Sequence, residues 1–132
     1  MPKRTRPTDA ELAILRVLWS QGPSSVRQVH DVVTTWRPLG YTTTLKMLQV
    51  MTGKGLVVRD EVGRQHIYRA RHPEQDTQRR LVSDLVQRAF GGSAAKLVLQ
   101  ALSTHRTTLA ELKEIQRLIA AQKKRDKETD HD

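Results

Sequence analysis

Up to residue 55 the apolar residues recur every three or four positions; from Leu56 to Ala70 that period is lost. The first stretch therefore reads as helices and the second as strands. Thr8 and Glu11 in "TDAE" form a capping box that opens a helix carrying Leu12, Leu15, Leu18 and Trp19. Gly22 and Pro23 stop it, and Ser25 with Gln28 opens a shorter helix through "VRQVHDVV". After the break "TTWRPLG", a third helix is placed over Thr42 to Gly53 in "YTTTLKMLQVMTGKG". The segment "LVVRDEVGRQHIYRA" then combines β-branched and aromatic residues around a glycine-containing turn at 61–64, the pattern of a hairpin.

Helix, helix, helix, hairpin is the order of a winged helix-turn-helix. The expected fold is mainly α with one small β-hairpin, the winged domain occupying residues 1–72. Residues 73–122 return to helical period. Leu81, Leu85, Val86 and Phe90 share one stripe, followed by Leu97, Val98 and Leu102 after the break "GGS". Thr108 and Glu111 cap a last helix with Leu112, Ile115, Leu118 and Ile119. These stripes have too few neighbours within one chain, so they predict a homodimer with two-fold symmetry. The charged tail, residues 123–132, lacks apolar anchors and is expected to be disordered.

Charge separates the two parts. Residues 1–72 hold 12 basic and 5 acidic side chains, whereas residues 73–132 hold 11 and 9. A basic first part points to a polyanion, and with a helix-turn-helix the polyanion is double-stranded DNA. The absence of cysteine excludes disulfides, thiolate metal sites and cysteine nucleophiles. The five histidines have no metal-ligand spacing, and no nucleophile elbow or phosphate-cradling glycine loop occurs, so neither enzyme nor cofactor is expected. No apolar run approaches the about 20 residues that cross a bilayer. The basic N-terminus has no signal-peptide core, so a cytoplasmic protein without membrane insertion is expected.

The three consecutive threonines of the third helix are poor interior residues and need separate explanations. At about 100° per residue, Thr44, Met47, Leu48 and Met51 fall on one face and Thr42, Lys46, Gln49 and Gly53 on the other. Thr42 is expected to cap the helix, and Thr44 to face inward and bond back to a carbonyl. Thr43 lies near the exposed end that enters the major groove of DNA. Lys46 suits guanine or a phosphate, Gln49 suits adenine, and Leu45, on the flank, suits a thymine methyl. Lys54 after the helix, Arg59 and Arg64 on the hairpin, and Lys3, Arg4 and Arg6 before the first helix are candidate backbone contacts.

With "AELAILRVLW", "VRQVHDVV", "YTTTLKMLQVMTGKGLVVRD" and "HIYRA" in this order, the chain resembles the penicillinase-repressor family, which includes the beta-lactamase and methicillin-resistance repressors. The resemblance runs from about Thr8 to Ala120 and implies a dimeric winged-helix repressor on a dyad-symmetric operator. In the antibiotic-resistance members a membrane-bound sensor metallopeptidase signals the cutting of an Asn-Phe bond between dimerisation helices. The matching position here is Gln100-Ala101, a different pair. Copper-responsive relatives carry a C-terminal cysteine cluster, and this chain has none, which excludes copper release by that route. Release by proteolysis within residues 91–106, by a ligand or by a partner all stay open. So do a regulator controlled by a small molecule bound to the C-terminal helices, a sequence-independent architectural protein, and a winged helix used for protein contact.

Overall fold

The Thr8 hydroxyl accepts the Glu11 amide at 3.2 Å while the Glu11 carboxylate accepts the Thr8 amide at 2.9 Å, closing the capping box that starts α1 (Asp9–Gln21). The computed structural model describes residues 6–129. Ser24–Ser25 forms a two-residue strand, β1, and Ser25 with Gln28 closes a second capping box at the start of α2 (Val26–Val33). Helix α3 covers Tyr41–Lys54 and is followed by β2 (Val57–Val62) and β3 (Gln65–Ala70). Three further helices follow: α4 (Glu74–Ala89), α5 (Ala94–Thr104) and α6 (Leu109–Thr129).

The sheet is antiparallel in the order β1-β3-β2. Its hairpin pairs Val62 with Gln65, leaving Gly63 and Arg64 as the turn. Gly63 has φ +63° and Arg64 does not share the positive φ, the signature of a type II′ turn whose twist matches the strands. The sequence indicated this hairpin but not β1, because two serines carry no strand period. Ser24 pairs with Tyr68 and Ser25 with Ile67, so the hairpin is anchored to the helices instead of projecting alone.

The chain divides into two units, one through Asp84 and one from Leu85. In the first, Ile14, Leu15, Val17 and Leu18 of α1 pack with Val26, Val29 and Val33 of α2, Leu48 and Met51 of α3, Val57 and Tyr68. The indole of Trp19 donates to the His72 carbonyl at 3.0 Å, fixing the chain as it leaves β3. At the end of α3, Gly55 takes the left-handed conformation (φ +78°) and the Leu56 amide reaches back to the Met51 carbonyl at 2.9 Å. This is a Schellman closure, which turns the chain directly into β2. The division falls within α4, whose residues 74–84 belong to the first unit. There Thr77, Arg80 and Leu81 line a small cavity of about 70 Å³ with Lys54, Gly55 and Leu56.

The second unit contains the end of α4, α5 and α6. Ser93 caps α5 through the Lys96 amide, and Thr108 with Glu111 closes the third capping box. Within α5 and α6 no described residue is buried. The expected disordered tail is corrected through Thr129, where α6 ends. Residues 120–129 contain no Gly or Pro, and their Ala, Gln, Lys, Arg and Glu are strong helix formers.

Candidate nucleic-acid interface

Helix α3 separates its side chains as the period demands. Thr44, Leu48 and Met51 are buried, while Thr42, Thr43, Lys46, Gln49 and Gly53 are exposed. The Thr44 hydroxyl donates to the Gly40 carbonyl at 3.3 Å, and Nδ1 of His30 lies 3.0 Å from the Thr44 hydroxyl oxygen. Thr44 thus ties α3 to α2 and sets the rotation that turns Lys46 and Gln49 outward. Thr43 and Lys46 border a shallow groove together with Thr8 and Glu11, which brings the start of α1 alongside this face.

For three of the expected residues the structure shows a setting that helical period did not. Thr42 does not cap the helix. Gly40 occupies the cap position without a side-chain bond, and the helix begins at Tyr41. The reason is tertiary: the Tyr41 ring meets the His30 ring edge-on at 5.5 Å and lies under the Arg27 guanidinium at 4.8 Å, which holds the first turn in place of a cap. Leu45 is half-buried and packs against the core, so part of its apolar surface is taken up by the protein.

Lys54 is the third. Its ammonium lies 2.9 and 3.2 Å from the two carboxylate oxygens of Glu11, and its side chain is only 29% exposed, against 5% for Glu11. Burial pulls the Glu11 carboxyl up, but the Thr8 amide and then the Lys54 ammonium outweigh it and hold the group below its ordinary value. Lys54 thus pairs with the carboxylate that also closes the α1 cap.

The remaining candidate cations lie on the hairpin and before α1. Arg59 is exposed on β2 and Arg64 is exposed in the turn. Arg6 donates to Asp84 at 2.6 Å, in a largely exposed pair. Lys3 and Arg4 lie outside the described residues. Sequence reasoning missed Arg27, His30 and Tyr41 as a group. The signal available was Arg27 and His30 three apart on α2, with an aromatic at the first position of the next helix. Among the described residues no three His, Asp or Glu side chains gather as a metal site, and no helix is long and apolar enough to cross a membrane.

The expected dimer face divides in the structure. Leu81 belongs to the first unit, and Val86, in the second, is buried. Phe90, Leu97 and Ile115 are half-buried, whereas Leu85, Val98, Leu102, Leu112, Leu118 and Ile119 are exposed. Leu99 and Leu109, at 64% and 70%, add apolar surface that the stripes did not predict. Gln100 and Ala101 lie inside α5, with the Gln100 carbonyl accepting from Thr104 and that of Ala101 from the His105 amide.

Two solved structures share the arrangement of the first unit. They are the Bacillus licheniformis BlaI monomeric form in complex with the blaP half-operator and the DNA-binding domain of the repressor BlaI. Each is 25% identical with a TM-score of 0.50, covering 58% of this chain and 93% of the other. In sequence, the transcriptional regulator BlaI of Mycobacterium tuberculosis is 37% identical over 100 residues, 75% of this chain and 72% of that protein. The penicillinase repressor of Bacillus licheniformis is 25% identical over 131 residues, 97% of this chain and all of that one. Residues 7–121 match the family described as penicillinase repressor. With nearly the whole described chain inside that match, and the winged helix in place, the protein belongs to the penicillinase repressor family of transcriptional regulators.

Proposed function

We propose that this chain represses transcription by binding a dyad-symmetric operator as a homodimer, with α3 of each subunit in the major groove. The observation that carries it is the two-faced α3. Its buried face is fixed by Thr44, Leu48 and Met51, which leaves Thr42, Thr43, Lys46 and Gln49 exposed together. Lys46 offers ammonium donors to guanine O6 and N7, and Gln49 can donate to and accept from adenine. Arg59 and Arg64 on the wing supply cations for the phosphate backbone.

The dimer is supported by the apolar surface that α5 and α6 leave exposed, at Val98, Leu99, Leu102, Leu109, Leu118 and Ile119 among others. Two-fold pairing of that surface would hold two copies of α3 for half-sites one helical turn, or a multiple of it, apart. Release by proteolysis within residues 91–106 is the accompanying proposal. A cut at Gln100-Ala101 would first require α5 to open, since a protease needs an extended chain.

Sedimentation equilibrium tests both halves of the proposal, first on the chain alone and then with a duplex carrying its preferred sequence. The expected masses are two chains in solution and two chains per duplex. A saturated complex of one chain per duplex would overturn the dimeric operator.

A further inference from the structure

We propose that Arg27 is a contact to a DNA backbone phosphate and that Tyr41 is the residue that positions it. The inference rests on the DNA-binding function above and adds a residue pair from outside the base-reading face of α3.

Tyr41 is the first residue of α3 and is 40% exposed, although it is large and aromatic. Its ring is held from two sides. His30 meets it edge-on at 80°, and His30 is itself fixed by the buried Thr44 through the 3.0 Å contact. The Arg27 guanidinium covers the ring at 4.8 Å. A line of contacts thus runs from the core at Thr44 through His30 and Tyr41 to an exposed cation.

Arg27 makes no ion pair with an acidic residue among the described residues. A guanidinium lying on an aromatic ring keeps its N–H donors around its edge, where they remain available. The ring therefore orients a planar, two-pronged donor without using its hydrogen bonds, and a phosphate accepts such a fork well. Arg27 lies in the first turn of α2, beside the N-terminal end of α3 from which Thr42 and Thr43 project. In a helix-turn-helix the helix before the reading helix crosses the sugar-phosphate backbone. The pair suits a contact that sets register without reading sequence.

The test is a titration of the full chain against two duplexes, one carrying the preferred sequence and one scrambled, from about 50 to 200 mM salt. Arg27→Gln should weaken both by the same factor, about ten-fold. It should also reduce the slope of log K against log salt by about 0.9 for each phosphate that is no longer neutralised. Arg27→Lys should keep the slope while giving up part of the affinity, because the charge stays and the fork does not. Tyr41→Phe should match the wild type, and Tyr41→Leu should weaken both duplexes a few-fold with the slope retained. An Arg27→Gln protein with unchanged affinity and slope would overturn the phosphate contact, and a change confined to the preferred duplex would overturn its sequence independence. A wild-type chain that bound neither duplex would instead remove the DNA-binding function itself.

Discussion

Replacing Lys54 with Met decides whether this cation serves the fold or the DNA. Met keeps the apolar stem and removes the ammonium that lies 2.9 Å from Glu11. Breaking a fully buried ion pair costs about 3–5 kcal/mol, because the remaining charge is left uncompensated. Here the Lys54 side chain is 29% exposed and Glu11 keeps its bond from the Thr8 amide, which lowers the expected loss to about 2 kcal/mol. For a unit of this size that corresponds to a melting point lower by roughly 10 °C. Both tryptophans, Trp19 and Trp36, lie in the first unit, so tryptophan fluorescence during heating at fixed protein concentration reports on it. The double variant Glu11→Gln/Lys54→Met should recover part of the loss, since no buried charge is then left alone.

The pH dependence has a definite sign. The folded Glu11 carboxyl is held below its ordinary value, so its stabilisation is complete above about pH 4–5 and disappears as pH falls through the lowered value. The gap between wild type and Lys54→Met should therefore be full at neutral pH and close in acid. An unchanged melting point for Lys54→Met, with the salt slope of DNA binding reduced by about 0.9, would refute the ion-pair argument and restore Lys54 to the phosphate backbone.

Other substitutions test other parts of the molecule. Lys46→Ala and Gln49→Ala should each lose about 1–3 kcal/mol of discrimination between preferred and altered duplexes, measured by competition, with the melting point unchanged. Arg64→Ala should instead weaken all duplexes alike and flatten the salt dependence. Tyr68 is fully buried and its hydroxyl has no partner among the described residues, so Tyr68→Phe should leave the urea midpoint unchanged or raise it. Leu118→Lys, at a position 64% exposed in the single chain, should leave helicity by circular dichroism intact and shift sedimentation toward one chain if that face is the dimer contact.

The features visible in the sequence are those decided by neighbours along the chain. Each capping box joins residues three apart, and the turn at Gly63 is set by one residue's conformation. The inward placement of Thr44 follows from helical period alone. What stayed hidden depends on residues far apart in the sequence. The partner of Lys54 is 43 residues away, and the partner of Arg6 is 78 residues away. The start of α3 moved to Tyr41 because of a docking site on α2, which no local propensity encodes. Leu45 sits at the edge of the apolar arc, where periodicity alone could not say that the core reaches it. The helical course of residues 123–129 was hidden for another reason. Their composition suits both a solvated helix and a disordered tail, and only the continuation of α6 decides between them.

The most direct measurement of the central claim is selection of bound sequences from a random duplex library, at near-physiological salt with excess non-specific competitor. Operator binding by a sequence-reading dimer predicts enrichment of one inverted repeat whose half-sites are a whole number of helical turns apart, with the preference at the contacted base pair weakened for the Lys46→Ala protein. Retention of duplexes without an enriched motif, or no retention by the folded chain, would contradict it.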